Sequence, residues 1–183
     1  MQDHQLTRMI FSRSRVLCHD TNLTTRSPQH MDIIMGFSSG DLMWYEPISQ
    51  KYSRLNKNGR MNPCSVVDVR WLPHSESLFV AAHADGALLV YEKDRDDSST
   101  LADVFDAPQI QQQQQQSKKE KAFSSFAVYK SIMSPSLVKT NPIGAWKLGN
   151  AKPEAMAFSP DGFYLAVVSE DGTLKIIDMA LEK

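Results

Sequence analysis

HADGALLVYE at residues 83–92 is one of three segments that share a single pattern, and this repetition decides the fold. The other two are FSSGDLMWYE at 37–46 and SEDGTLKIID at 169–178. In each segment the end of an apolar strand is followed by a tight turn, a second apolar strand and a terminal acidic residue. The glycines of the turns are Gly40, Gly86 and Gly172.

The spacing of these glycines predicts the repeat unit. Gly40 and Gly86 are 46 residues apart, close to the roughly 40–45 residues of a WD-type propeller blade. Gly172 follows Gly86 after 86 residues, which fits one blade with a long insertion, or two blades of which one is blurred. Runs such as LFVAA (78–82) and YLAVV (164–168) are apolar on both faces. This is typical of antiparallel sheets that are covered on two sides.

The second repeat is the most complete, and it predicts the strand plan. Residues 65–82 supply two strands, with Val67, Val69 and Trp71 expected on one face. The best candidate for the fourth strand is 143–149, and the matching strand after the first repeat is expected at 51–55.

The stretch between the third and fourth strands of the second repeat is an insertion of polar, low-complexity sequence. It contains Gln111–Gln116 and has too little apolar content to offset its ordering entropy. Near its end, Phe123, Phe126, Val128 and Tyr129 are suited to one further short strand.

The sequence therefore predicts an all-β chain, an incomplete arc of about three four-stranded antiparallel blades of a WD-type β-propeller. A polar segment at 1–14 precedes the partial propeller at 15–179. The blades are expected at about 15–60, 62–149 and 153–183, and the insertion at about 94–140. Three blades are fewer than the 4–8 of a typical propeller, so we expect a fragment or a truncated gene model with open blade edges.

Composition argues against several classes of function. With 20 basic and 21 acidic residues the net charge is −1, so there is no electrostatic footprint for nucleic acid or for an anionic membrane. The first thirty residues lack the apolar core of a signal peptide. Cys18 and Cys64 fit free thiols in a reducing compartment. We expect cytoplasmic localisation, with the nucleus as an additional compartment.

Each group of residues that could suggest catalysis or metal binding has a structural explanation. Cys18, His19 and Asp20 are adjacent on a predicted strand, so their side chains alternate between faces and cannot converge as a catalytic triad. No histidine or cysteine pair has metal-ligand spacing. The sequence predicts no enzyme, no catalytic residue, no cofactor and no metal.

The predicted functional residues are therefore those of turns and rim loops. The structural turns are assigned to Gly40, Asp85, Gly86, Asp161, Gly162, Asp171 and Gly172. Asp85 and Asp171 are expected to accept hydrogen bonds from their own turns. Because turns at one end of a blade share a face, protein contacts are expected at Ser38, Ser39, Ala84, Glu170, Asn150 and Lys152.

The sequence also resembles a known protein family, and this resemblance implies a binding partner. CHD (18–20), VRWLPHSESLFVAAH (69–83), NPIGAWKLG (141–149) and AFSPDGFYLAVVSEDG (157–172) resemble the WD-repeat family of fungal CreC-type carbon catabolite repression proteins and their animal relatives. The resemblance implies a non-enzymatic scaffold that binds and regulates a ubiquitin-specific protease. In the fungal branch it implies a role in carbon catabolite repression.

The chain departs from the repeat consensus in ways that bear on its bracing. The consensus tryptophan of the third strand is replaced by Tyr45, Tyr91 and Ile177, and the Gly-His pair is absent. His83 is a candidate for the missing bracing role. The alternatives to the protease partner are a propeller interaction module of another pathway and a phosphoinositide-binding propeller. For the latter, Arg13 and Arg15 only approximate a paired-arginine loop.

Overall fold

The computed structural model describes residues 7–97, 126–132 and 140–183. Their regular structure is β-strand, apart from one 3-10 turn at Lys57–Gly59. The first five strands are β1 (Val16–Thr21), β2 (Ile33–Phe37), β3 (Leu42–Glu46), β4 (Lys51–Leu55) and β5 (Val66–Trp71). The others are β6 (Leu78–His83), β7 (Ala87–Glu92), β8 (Ala127–Lys130), β9 (Gly144–Lys147), β10 (Pro153–Phe158), β11 (Tyr164–Ser169) and β12 (Leu174–Asp178).

The strands form three antiparallel sheets in chain order. The first sheet has the order β1-β2-β3-β4, the second β5-β6-β7-β9-β8 and the third β10-β11-β12. The first strand of the second sheet, β5, packs beside β1 on one side and β10 on the other. This is an open arc of propeller blades, and it confirms the predicted fold class. The expected fourth strands at 51–55 and 143–149 are confirmed as β4 and β9.

The middle sheet explains why its strands are apolar on both faces. Phe79 and Ala81 of β6 face the first sheet, whereas Val80 and Ala82 face the third. All four are fully buried. Because consecutive side chains of a strand point to opposite faces, each face of the middle sheet contributes to a separate core. The core between the first and second sheets includes Ile34, Leu42, Leu55, Met61, Val66, Val69, Trp71, Phe79, Leu89 and Tyr91.

The second and third sheets differ from the first in their number of strands. The second sheet has five strands, because the insertion returns as β8 and pairs with β9 on the outer side. This strand contains Val128 and Tyr129, as expected. The third sheet has three strands. The glutamine run, like most of the insertion, lies outside the described residues.

The predicted orientation of Val67 is wrong. Val69 and Trp71 do face the first sheet, but Val67 packs against the core between the second and third sheets. The register of β5 against β6 shifts between Val66 and Asp68. A bulge of this kind interrupts the alternation of side chains, so Val66 takes the place on the inner face that was expected for Val67.

The two ends of the arc are closed to different degrees. On the outer face of the first sheet, Phe37, Met43 and Tyr45 are buried, and the ring of Phe11 packs edge-on against Phe37 at 4.9 Å. On the outer face of the third sheet, Leu174 and Ile176 are about 60% exposed. The expected polar segment at the N-terminus therefore contributes an apolar cap.

Candidate docking edge

The three glycine turns lie along one edge of the arc, which we call the turn edge. It consists of the turns 38–41, 84–86 and 170–172 and the chain connections 56–65 and 148–152. Gly40, Gly86 and Gly172 have φ of 83°, 85° and 77°, a conformation that glycine adopts without the steric cost of a Cβ atom. Each glycine N–H donates to a carbonyl three residues earlier, at 3.0–3.1 Å.

Each turn is tied to the strand that enters the same sheet. The N–H groups of Ser38, Ala84 and Glu170 donate to the carbonyls of Arg15, Ser65 and Lys152, at 2.9, 2.8 and 2.9 Å. These bonds occupy equivalent positions in the three sheets. Three of the residues predicted as rim contacts, Ser38, Ala84 and Glu170, thus hold the same structural position at the turn edge.

The connections between sheets press closely on the first two turns. A Cβ atom built on Gly40 would lie 2.4 Å from the carbonyl oxygen of Asn62, and one on Gly86 would lie 2.3 Å from that of Gly149. A Cβ atom on Gly172 would have open space around it. The turn edge is therefore rigidly packed at the first two sheets and open at the third.

Ion pairs brace the turn edge in the first two sheets. In the second sheet, Lys147 Nζ lies 3.1 Å from Asp85 Oδ2, and Asn62 donates to the same carboxylate at 3.2 Å. Burial opposes ionisation of Asp85, but the Ala87 N–H and Lys147 outweigh it and lower its pKa. In the first sheet, Asp41 accepts hydrogen bonds from Arg54 and Ser39. Sequence reasoning missed these cations, which lie on the fourth strands and align with the turns only through the pairing of β3 with β4 and of β7 with β9.

The predicted rim residues differ in accessibility. Asn150 and Glu170 are exposed, whereas Ser38, Ser39, Ala84 and Lys152 are partly buried. Lys152 Nζ pairs with Glu154 at 2.8 Å. Asp171 accepts the N–H of Thr173 at 3.1 Å, within its own turn.

Asp161 and Gly162 do not belong to this edge. They form the turn between β10 and β11, at the opposite edge of the arc, where Asp161 accepts the Phe163 N–H at 3.0 Å. The hydrogen bond from Ser159 lowers the pKa of Asp161. Their role is therefore local to that turn.

His83 occupies a buried position behind the turn edge. Its side chain is inaccessible to solvent, and Nδ1 lies 2.9 Å from the carbonyl oxygen of Cys64. Burial lowers the pKa of His83, which favours a neutral ring that donates this bond. It thereby joins the end of β6 to the connection that enters β5.

The opposite edge holds a polar cleft of about 520 Å³, lined by Thr25, His30, Glu76, Ser77, Lys93 and Asp94. At its base the fully buried Asp32 accepts hydrogen bonds from Trp44 Nε1 at 2.6 Å and Lys93 Nζ at 3.2 Å. Burial opposes ionisation of Asp32, but the donors lower its pKa. Because Lys93 belongs to the second sheet and Asp32 to the first, this cluster joins the two sheets.

The Cys18 thiol is poorly suited to act as a nucleophile. Burial raises the pKa of the Cys18 thiol to about 12, and the nearby charge of Asp68 adds to the effect, so the thiolate nucleophile is scarce at neutral pH. Within the described ranges there is no group of three or more His, Cys, Asp or Glu side chains that could hold a metal ion. The same ranges contain no helical segment with the length and hydrophobicity that a transmembrane helix requires.

Comparison with known proteins shows similarity to a repeat family and to a curated relative. Residues 149–178, which contain the third glycine turn, match the family model "WD domain, G-beta repeat". The chain is also similar to UBP9-binding protein bun62 of Schizosaccharomyces pombe (strain 972 / ATCC 24843), with 36% identity over 177 residues. The alignment covers 97% of this chain and 32% of that relative, so the chain spans about a third of the relative's length.

Proposed function

We propose that the chain is a WD-repeat scaffold without catalytic activity of its own that binds and regulates a ubiquitin-specific protease; its match to the WD-repeat family model at residues 149–178 supports the class of scaffold. The observation that carries this proposal is the 36% identity, over nearly the whole chain, to a protein named for binding UBP9. The resemblance to CreC-type proteins supports the same class of partner.

The turn edge supports a docking role because its loops are held in place. Backbone hydrogen bonds fix Ser38, Ala84 and Glu170, and the ion pair of Lys147 with Asp85 braces the middle turn. Loops presented on a rigid frame lose little conformational entropy when a partner binds. We therefore assign the protease contact to this edge, with Asn150 and Glu170 as its exposed members.

The more specific parts of the proposal concern pathway and compartment. The CreC-type resemblance supports a role in carbon catabolite repression in a fungus. Free Cys18 and Cys64 are consistent with a reducing compartment. We propose the cytoplasm as the site of action, with the nucleus as an additional compartment.

A binding and turnover experiment tests the proposal. The 183-residue chain and a longer protein containing it are each mixed with the ubiquitin-specific protease of the same organism. Binding is measured by co-purification, and activity by cleavage of a fluorogenic ubiquitin substrate. We expect the longer protein to bind the protease and raise its turnover, and neither chain to cleave ubiquitin alone. Absence of binding by both proteins, or hydrolysis without the protease, would refute the proposal.

A matched pair of variants locates the contact. Asn150→Arg places a bulky cation on the turn edge, and Gln29→Arg makes the same change at the exposed opposite edge. We expect the first variant to weaken protease binding and the second to leave it unchanged. Equal effects would show that the contact lies away from the turn edge.

A further inference from the structure

Two segments far apart in sequence meet on either side of the β2–β3 turn. From the N-terminal side, Ser14 Oγ donates to Ser39 Oγ at 2.9 Å, and the Arg15 N–H donates to Ser38 Oγ at 3.1 Å. From the other side, the Asn58 N–H donates to Asp41 Oδ1 at 2.9 Å. The loop that follows β4 therefore packs against the same turn as the segment that precedes β1.

Four exposed cations, Arg13, Arg15, Lys57 and Arg60, lie in these two segments, and we call them the basic rim. Among the described residues, no carboxylate lies within 4.0 Å of any of the four side-chain nitrogen groups. Arg60 is close enough to Asp97 that its charge opposes the rise that burial imposes on the Asp97 pKa. Asp97 also accepts backbone N–H groups of Lys57 and Asn56, but within the described ranges the four cations of the basic rim make no direct ion pair.

The rest of the turn edge is different. Arg54 pairs with Asp41, Lys147 with Asp85 and Lys152 with Glu154. The whole chain has a net charge of −1, so the basic rim does not reflect a generally basic protein. Unpaired like charges held close together repel one another, and an anionic partner relieves that repulsion.

We infer that the basic rim binds an extended acidic segment of a partner protein. The cations flank the turn on two sides, so they present a strip to a chain of carboxylates. Arginine guanidinium groups pair with carboxylates through two parallel hydrogen bonds. This inference goes beyond the proposed function, because it concerns the charge and shape of a ligand and holds for any partner that carries such a segment.

A compact phosphate group is a poorer match for this surface. Phosphate sites commonly use free backbone N–H groups in addition to cations. Here the N–H groups of Arg15, Ser39 and Asn58 are already bonded to Ser38, Ser14 and Asp41. The surface therefore offers side-chain cations without the converging N–H groups of a phosphate pocket.

Fluorescence anisotropy of a labelled decaglutamate peptide tests the inference on the full 183-residue chain, with decaglutamine as the uncharged probe. The rim variants are Arg13→Glu/Arg15→Glu and Lys57→Glu/Arg60→Glu. The control is Arg26→Glu/Lys51→Glu, which makes the same charge change at exposed positions of the opposite edge. The variant Arg13→Gln/Arg15→Gln removes the two positive charges without reversing them. Circular dichroism and an unfolding curve establish that each variant is folded.

We expect decaglutamate, and not decaglutamine, to bind in a salt-sensitive way. Each rim reversal should weaken binding by about tenfold or more, since each surface ion pair contributes a modest amount and reversal adds repulsion. The neutral variant should lose less, and the control should stay within about twofold of the parent. Failure of the parent to bind decaglutamate, an equal loss in the control, or binding only to phosphoinositide vesicles would each overturn the inference.

Discussion

The first and third sheets each have one face that the second sheet does not cover, and these two faces differ. On the first sheet, Phe37, Met43 and Tyr45 are 5–6% exposed. On the third sheet, Val168, Leu174 and Ile176 are 41%, 60% and 63% exposed. Apolar side chains occupy both faces, so composition does not explain the difference.

A short segment before β1 makes the difference. Phe11 packs against Phe37, and Tyr45 Oη lies 3.3 Å from Thr7 Oγ1. A blade face can thus be shielded by a few residues that form no strand. Burial of an outer face therefore depends on one or two anchoring side chains as well as on a neighbouring blade.

The largest loss of stability is expected from Trp71→Ala, because Trp71 lies at the junction between the first and second sheets. Trp71 is 6% exposed and packs edge-on against Phe79 at 5.4 Å. Its N–H and indole contacts with Asp20 join β5 to β1. Removal of a core aromatic side chain costs roughly 3–5 kcal/mol, measurable by urea denaturation. Tyr52→Ala, at a 64% exposed aromatic residue of the first sheet, should stay within about 0.5 kcal/mol.

The glycine turns allow the packed and open parts of the turn edge to be compared directly. Gly86→Ala combines an unfavourable positive φ with a Cβ atom 2.3 Å from the Gly149 carbonyl oxygen, whereas Gly172→Ala meets only the unfavourable φ. We expect Gly172→Ala to cost about 1 kcal/mol and Gly86→Ala to cost about 2–3 kcal/mol. Equal unfolding midpoints for the two variants would show that the connection at Gly149 yields without cost.

Glu46 at the end of β3 is buried, whereas Asp178 at the end of β12 is partly exposed. Glu46 is 2% exposed and accepts N–H groups from Met31 at 3.1 Å and Ile48 at 3.0 Å. Asp178 accepts those of Ala180 and Leu181 from a less buried site. Glu46→Gln should therefore cost about 1–3 kcal/mol at neutral pH, because hydrogen bonds to a charged group are lost, and Asp178→Asn should cost less.

The pH dependence of Glu46 has a definite sign. Burial opposes ionisation, but hydrogen bonds, those of Ser49 foremost, outweigh it and lower the pKa to about 2. A carboxyl with a lowered pKa stabilises the fold above its unfolded pKa of about 4.3. This contribution is lost as the pH falls from there towards about 2. Over this pH interval the free energy of unfolding should decrease less in Glu46→Gln than in the parent. An identical decrease in the two proteins would contradict the assignment of the lowered pKa to Glu46.

Phe11→Ala tests whether the N-terminal segment is the cap of the first sheet. Phe11 is partly buried, so its removal should cost less than that of a core aromatic, about 1–2 kcal/mol. Binding of a dye such as ANS should rise as Phe37, Met43 and Tyr45 become accessible. The neighbouring exposed residue Ile10 offers the control Ile10→Ala, for which neither stability nor dye binding should change. If Phe11→Ala behaves in the same way, residues other than Phe11 cover this face.

The sequence was sufficient for the strands but not for every contact. Short apolar runs and glycine spacing predicted the sheets, because these signals are local. The reversed orientation of Val67 depends on a bulge, which one residue of register decides. Phe11 is a single apolar residue among polar ones, so no periodicity marks it as a cap. Likewise, Arg15 and Lys57 are 42 residues apart, and their segments come together only because both contact the β2–β3 turn.

The smallest effect is expected on the open face, from Ile176→Thr. Ile176 is 63% exposed on β12, where it pairs with Ala166 of β11. Threonine retains the β-branched shape that favours strands, and little apolar area leaves a buried environment. We expect the unfolding free energy of the 183-residue chain to change by less than about 0.5 kcal/mol, while ANS binding falls because an exposed apolar side chain is lost.

The equivalent position of the middle sheet is the fully buried Val90, so Val90→Thr should destabilise by about 1–3 kcal/mol. A large loss from Ile176→Thr would mean that this face is covered in solution, most directly by a second copy of the chain, and a concentration-dependent sedimentation coefficient would reveal that association.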